Sequence, residues 1–350
     1  MVHFQFNSTK REQFQFNKGV YLHPVPTNCI RMMISSSVIA LIQIIAGFLL
    51  LFYGGDWLVD GGIAIARKFN MSPIVIGMTI VAFGTSAPEL LVSVTSSIKG
   101  SEGIALGNVI GSNIANIGLI LGITAAITPI IVSKKSVLKN GLIMLAATFL
   151  FIVLAMNGTI SRIEGLAMTA LLVLFVFYSI RTSGEDNTEE QEAGKEIKLV
   201  PAILLVILSC AMLAFGADQL VRGASEMASM LGVSEQVIGL TVVAVGTSLP
   251  ELAASVAAAF KKQMDISIGN VIGSNIFNIL CVIGVSASVS PYSFNFMEYA
   301  VNMQIMAAFS IALLVVIMPW RDRTSDSCRM GRLAGILFTA CYLAYAIGQF

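Results

Sequence analysis

The sequence predicts an all-α polytopic membrane protein: ten transmembrane helices in two inverted five-helix repeats, with helices 2 and 7 broken. Three observations carry that expectation. The 350 residues are 56% hydrophobic and 12% charged, with a mean hydropathy of +0.84, whereas soluble domains carry about 25% charged residues. Ten apolar stretches are each long enough to cross a hydrocarbon core of about 30 Å. One sentence is also written twice: GTSAPELLVSV at 84–94 returns as GTSLPELAASV at 246–256, and GNVIGSNIANI at 107–117 as GNVIGSNIFNI at 269–279. The offset is 162 throughout, and it already relates Asp56 to Asp218.

In chain order, residues 1–33 are polar, dotted with aromatics and without an apolar run, so they read as a disordered extension or a start placed too far upstream. No signal-peptide h-region is present there. The spans follow at 35–66, 72–98, 103–128, 136–156 and 162–182. An acid-rich hydrophilic linker occupies 183–198, and five more spans run at 199–229, 235–260, 265–290, 298–319 and 328–349. The halves are therefore 34–182 and 199–350, with motif segments 76–122 and 238–284.

Five spans is an odd number, so the second half must lie inverted relative to the first. Basic residues test this separately, because Lys and Arg accumulate on the cytoplasmic side. If the first span runs inward, the cytoplasmic ends carry fourteen of them, from Arg67 to Arg332. The outer ends carry three (Lys99, Arg162 and Arg222), or seven with those of the first 33 residues. The expectation is a cell-membrane protein with both termini outside and the linker in the cytoplasm. A net charge of +1 gives no sign of a nucleic-acid partner. The five cysteines are scattered without CxxC spacing and read as small buried hydrophobes.

In the second span, Pro88 removes a backbone donor and clashes with the carbonyl four residues back, with Gly84 in the same turn. The helix should break at 84–88 and free carbonyls around Ala82 and Thr85. In hydrocarbon, freed carbonyls are tolerated only when something satisfies them. Thr85 and Ser86 add hydroxyls at that level and Glu89 a carboxylate; Ala244, Thr247, Ser248, Pro250 and Glu251 repeat the set. A proline kink with a packing patch would explain the hydroxyls. It would not explain the glutamates, because an ionised acid deep in a bilayer costs several kcal/mol unless paired. No Lys, Arg or His lies in the middle of any span, which leaves bound cations as the partners.

In the second motif, Ser112 and Asn116 share one helix face, as do Ser274 and Asn278. We read these four as ligands, and Asn108, Asn113, Asn270 and Asn275 as interhelical glue beside glycines that admit a close neighbour. Carboxylates, hydroxyls, amides and carbonyls suit hard cations such as Ca²⁺ and Na⁺, not zinc or copper. Two carboxylates balance one Ca²⁺ or, approximately, two or three Na⁺. Asp56 and Asp218 read as interfacial helix ends rather than transport groups.

The paired GTSxPE and GNVIGSN motifs resemble the α-repeats of the sodium/calcium exchanger family, within the calcium/cation antiporter superfamily, from about residue 35 to the end. The resemblance implies two inverted five-helix repeats and alternating access, with the first and sixth helices sliding over a fixed core. It also implies a mid-membrane diamond of ion sites. The family's ligand positions fall on Ala82, Thr85, Ser86, Glu89, Ser112 and Asn116, and on Ala244, Thr247, Ser248, Glu251, Ser274 and Asn278, the alanines acting through backbone carbonyls. It implies Na⁺ and Ca²⁺ as transported substrates, no further cofactor, and a monomer sufficient for function. Potassium-dependent relatives resemble a pattern with aspartate where this chain has Asn278, so no potassium requirement is expected. The linker is too short to fold the calcium-sensing domains of animal relatives.

The alternative of the same superfamily is a proton/calcium antiporter, whose second motif carries extra glutamates where this chain has GNVIGSN. An intramembrane hydrolase using Ser86 or Ser248 lacks a base, since the two histidines, His3 and His23, lie outside the spans. A passive channel is separable only by coupled flux.

Overall fold

The computed structural model describes residues 27–183, 197–232, 244–318 and 326–349. Of the sequence expectations, most of the N-terminal extension, the linker at 184–196 and the stretch 233–243 of the seventh span lie outside the described residues. The molecule is mostly helical. Among the described residues seven helices are long and apolar enough to cross a membrane, or eight if one bent pair counts as a span. Two shorter apolar helices, Leu249–Phe260 and Arg332–Ile347, accompany them.

Helix α1 (Thr27–Lys68) starts ahead of the expected boundary at 33/34, which therefore falls inside the helix. The bent pair is α2 (Pro73–Thr85) and α3 (Ala87–Ile98), at 47° to each other. Then come α4 (Glu102–Ile127), β1 (Ile130–Ser133), α5 (Lys134–Ala155), β2 (Thr159–Ile160) and α6 (Arg162–Thr182). After the linker follow α7 (Leu199–Met230), the short α8 (Ala244–Gly246), α9 (Leu249–Phe260) and α10 (Met264–Val289). β3 (Tyr292–Ser293), α11 (Phe296–Ile317), β4 (Ser327–Met330) and α12 (Arg332–Ile347) complete the chain.

α10 is the most enclosed of these helices, with 94% of its apolar window buried, and α4 is next at 72%. These two carry the GNVIGSN motifs. By contrast α1, α6 and α7 bury only 28% of theirs. Core and periphery are thus divided by motif content. Glycine makes the core contacts possible: a Cβ on Gly273 would stand 2.5 Å from Cα of Met78, and one on Gly269 would clash with the carbonyl of Ile74. Their counterparts Gly107 and Gly111 meet nothing within 4 Å; the segment that would repeat α2 lies largely outside the described residues.

The repeat-related helices α1 and α7 pack on each other with opposite direction. Contacts run from Gly223 against Ala40, through Gly216 against Gly47 and Gly54 against Leu213, to Gly61 against Ala202. Rising numbers in one helix meet falling numbers in the other.

Two features depart from an all-helical reading. β1 pairs antiparallel with β4 (Ile130 opposite Met330), and β2 with β3 (Ile160 opposite Tyr292). Each ribbon joins a loop of one half to a loop of the other; Ile130, Val132, Cys328 and Met330 of the first and Ile160 and Tyr292 of the second are buried. Helices α2, α4 and α10 also each widen into a π-helical stretch, at Gly77–Val81, Asn116–Leu121 and Asn278–Ile283. The last two begin on the repeat-related Asn116 and Asn278. Such stretches recur at functional sites because they re-aim side chains within a helix.

Candidate functional site

The break in the second span falls at Ser86, one helix ending at Thr85 and the next opening at Ala87 with Pro88 in its first turn. Ser86 adopts φ −84°, ψ 5°, and Ser248 nearly the same, φ −89°, ψ 3°, so the duplicated sequence makes a duplicated turn. The Ala82 carbonyl, expected to be freed, instead accepts the Ser86 amide at 2.9 Å, and the Thr85 hydroxyl lies 3.3 Å from it. The carbonyl that Pro88 deprives of its helical donor is that of Gly84, by the four-residue rule. Ala244 opens α8, before the equivalent turn.

Each break starts a new helix with its glutamate in the first turn. Glu89 is 0% exposed and Glu251 1%. No Lys or Arg forms an ion pair with either among the described residues. Ser86 Oγ donates to Glu251 Oε1 at 2.9 Å. The remaining carboxylate oxygens, Glu251 Oε2 and both of Glu89, have no hydrogen-bond partner among the described residues. The same holds for Ser248 Oγ, Ser274 Oγ, Asn278 Oδ1 and both amide atoms of Asn116. Buried polar atoms are normally satisfied, and each exception calls for a reason. Most of the exceptions gather on candidate ligands that the repeat had singled out, while Ser179, Ser225, Asn275 and Asn302 supply others elsewhere. Thr85 and Ser112 are buried as well, and Thr247 is partly buried.

The asparagines divide into two groups. Asn108 donates to the Glu89 carbonyl at 3.3 Å and to Ser93 at 3.0 Å; Asn270 does the same for Glu251 and Ser255 at the same two distances. This pair ties α4 to α3 and α10 to α9, as interhelical glue should. Asn270 also faces Thr85, whose hydroxyl lies 3.3 Å from its Oδ1. Asn113 also bridges helices: its amide donates to Met306, and its Oδ1 accepts from Asn278 Nδ2 at 3.2 Å, which leaves Asn278 Oδ1 without a partner among the described residues. Sequence spacing carried no signal for this contact, because it joins the two halves.

Asp56 and Asp218 both have basic partners. Asp56 pairs with Lys261 and Asp218 with Arg222, each at 2.8 Å, which agrees with the reading that left them out of transport. Cys281 and Cys328 are buried, Cys210 is partly buried, and Cys341 is exposed.

Apolar helices enclosing a set of oxygen donors around two acids define the class: a multi-pass membrane transporter rather than an enzyme. Comparison with known proteins narrows it. The sequence profile described as sodium/calcium exchanger protein matches residues 39–181 and 201–350. The sodium/calcium exchanger MaX1 of Methanosarcina acetivorans is 33% identical over 351 aligned positions, covering 88% of this chain and 97% of that protein. The inner membrane protein YrbG of Escherichia coli is also 33% identical, with 88% and 96% covered. A solved structure of the sodium-calcium exchanger NCX_Mj superposes with a TM-score of 0.76 at 36% identity, covering 90% of this chain and 99% of that one. The chain belongs to the sodium/calcium exchanger family.

Proposed function

We propose that the protein is a secondary active antiporter that exchanges Na⁺ for Ca²⁺ across a cell membrane by alternating access, with no requirement for potassium. The observation that carries this reading is the pair of buried glutamates, three of whose four carboxylate oxygens lack a partner among the described residues. A hard divalent cation satisfies such oxygens directly. Two carboxylates match one Ca²⁺ in charge, and neutral oxygens from Thr85, Ser86, Ser112 and Asn116, with Thr247, Ser248, Ser274 and Asn278, complete either ionic load. The carbonyls of Ala82 and Ala244 are assigned as further ligands. No cofactor beyond the transported ions is invoked, and a monomer suffices.

Ten spans in two inverted five-helix repeats, 34–182 and 199–350, remain the architecture we favour, with the 183–198 linker cytoplasmic and both termini outside. The antiparallel packing of α1 on its repeat mate α7 supports the inversion. The two separate profile matches support the halves. Sodium is preferred to the proton because the second motif reads GNVIGSN, without added glutamates. Potassium is left out because Asn116 and Asn278 are both neutral.

Reconstituted protein, loaded with sodium and diluted into sodium-free medium, should take up ⁴⁵Ca²⁺. Dependence on a pH gradient instead of a sodium gradient would transfer the function to the proton/calcium alternative.

A further inference from the structure

Repeat symmetry breaks where α1 meets α9. Gly55 lies so near α9 that a Cβ there would come within 2.8 Å of the Ala253 carbonyl. At the C-terminal end of α9, Lys261 reaches back to α1. Its Nζ stands 2.8 Å from Asp56 Oδ1, 2.8 Å from the Asp56 carbonyl oxygen and 2.6 Å from Asp60 Oδ1. Only 24% of the lysine side chain is exposed.

The offset of 162 assigns every member of this contact a counterpart: Ala217, Asp218 and Arg222 on α7, Leu91 on α3 and Lys99 at its C-terminal end. The counterpart contact is not made among the described residues. Leu91 is 66% exposed, Lys99 is exposed, and Asp218 pairs within its own helix with Arg222. The α1–α7 pair, held together by its glycine contacts, therefore covers the half-helix of the second repeat and leaves that of the first bare.

We propose that Lys261, Asp56 and Asp60 form a latch that holds the α1–α7 pair on α9. The latch opens when the pair crosses to α3, and it makes the state described here the favoured one. The proposal rests on the alternating-access reading above. Two departures from the repeat make the opposite state the weaker. Where Asp60 stands in the first half, Arg222 stands in the second, so Lys99 approaching Asp218 would meet a like charge. Gly55 against Ala253 would also become Ala217 against Leu91, two larger side chains in place of a contact that has no room for one more carbon. A network of two partly exposed ion pairs is expected to shift a two-state population by about fivefold, or about 1 kcal/mol.

The test uses the full chain in lipid nanodiscs, with native cysteines replaced and single reporters introduced as Leu91→Cys or Ala257→Cys. The rate of labelling by a hydrophilic maleimide is read with Lys261 intact, as Lys261→Met, and in the charge swap Lys261→Asp with Asp60→Lys. Opening the latch should raise labelling at 257 about fivefold and lower it at 91, and the swap should return both toward the starting rates. Unchanged rates, or a rise at both sites together, would overturn the latch. If Lys261→Met does not fold, Asp60→Asn makes the same comparison. The readout needs no ion flux, so a protein that fails to exchange sodium for calcium sinks the functional reading and leaves the latch to be judged by labelling alone.

Discussion

Ser86, in the first half of the chain, donates a 2.9 Å hydrogen bond to Oε1 of Glu251 in the second. The first half thus supplies a ligand candidate to the second half's carboxylate without the reverse, and the two glutamates are not equivalent: among the described residues one is partly satisfied and the other not at all. Hydrogen bonds to a charged group contribute about 1.5–3 kcal/mol. Ser86→Ala should therefore weaken the apparent calcium affinity about tenfold, and Ser86→Thr should retain most of it. Calcium-dependent uptake rates across a concentration series give the comparison; equal affinity in Ser86→Ala would remove Ser86 from the site.

Both carboxylate oxygens of Glu89 are buried and meet no donor among the described residues. A buried charge without a partner is destabilising. The ion-free protein should therefore be no less heat-stable as Glu89→Gln, while losing the stabilisation that calcium gives the parent. At a hundredfold excess over the dissociation constant that stabilisation is about 2.7 kcal/mol. Thermal unfolding with calcium and with a chelator measures it. A calcium-induced rise that survives in Glu89→Gln would place the ion elsewhere.

Gly273 meets the backbone of Met78 on α2, which has no flexible end to yield. Overpacking of a filled interior costs about 1–3 kcal/mol. Gly273→Ala should lower the unfolding midpoint by several degrees, whereas Gly348→Ala, whose nearest atoms stand at 3.4 Å, should change it little. Similar midpoints for the two variants would show that α2 and α10 are less tightly joined than described.

Asn278 Nδ2 is held by Asn113, and its Oδ1 is left without a partner among the described residues. Asn278→Asp adds a third acid at this point and should bring a potassium dependence of calcium exchange that the parent lacks. Transport assayed with and without potassium reads this directly. No gain of dependence would weaken the argument from two acids against potassium.

Much of this was legible in the sequence because a bilayer makes polar residues conspicuous. Glu89 and Glu251, the prolines beside them and the glycines of the second motif stand out from apolar helices, and the constant offset assigns them in pairs. The turn at Ser86 and its copy at Ser248 followed from Pro88 and Pro250. The carbonyl reading at Ala82 shifted because the helix holds through Thr85. The π-helical stretches beginning at Asn116 and Asn278 carry no apolar period that marks them. Ribbons of two to four residues at Ile130 and Thr159 are too short for a strand pattern. Cross-half contacts, Asn113 with Asn278 and Lys261 with Asp56 and Asp60, depend on tertiary placement that no spacing within one half encodes.

The most direct measurement of the central claim is ⁴⁵Ca²⁺ uptake into sodium-loaded vesicles carrying the parent protein, Glu89→Gln or Glu251→Gln. Uptake by the parent that collapses without the sodium gradient, and is absent in both variants, is the expected result. Sodium-driven uptake that persists in either variant would contradict a site built on the two glutamates.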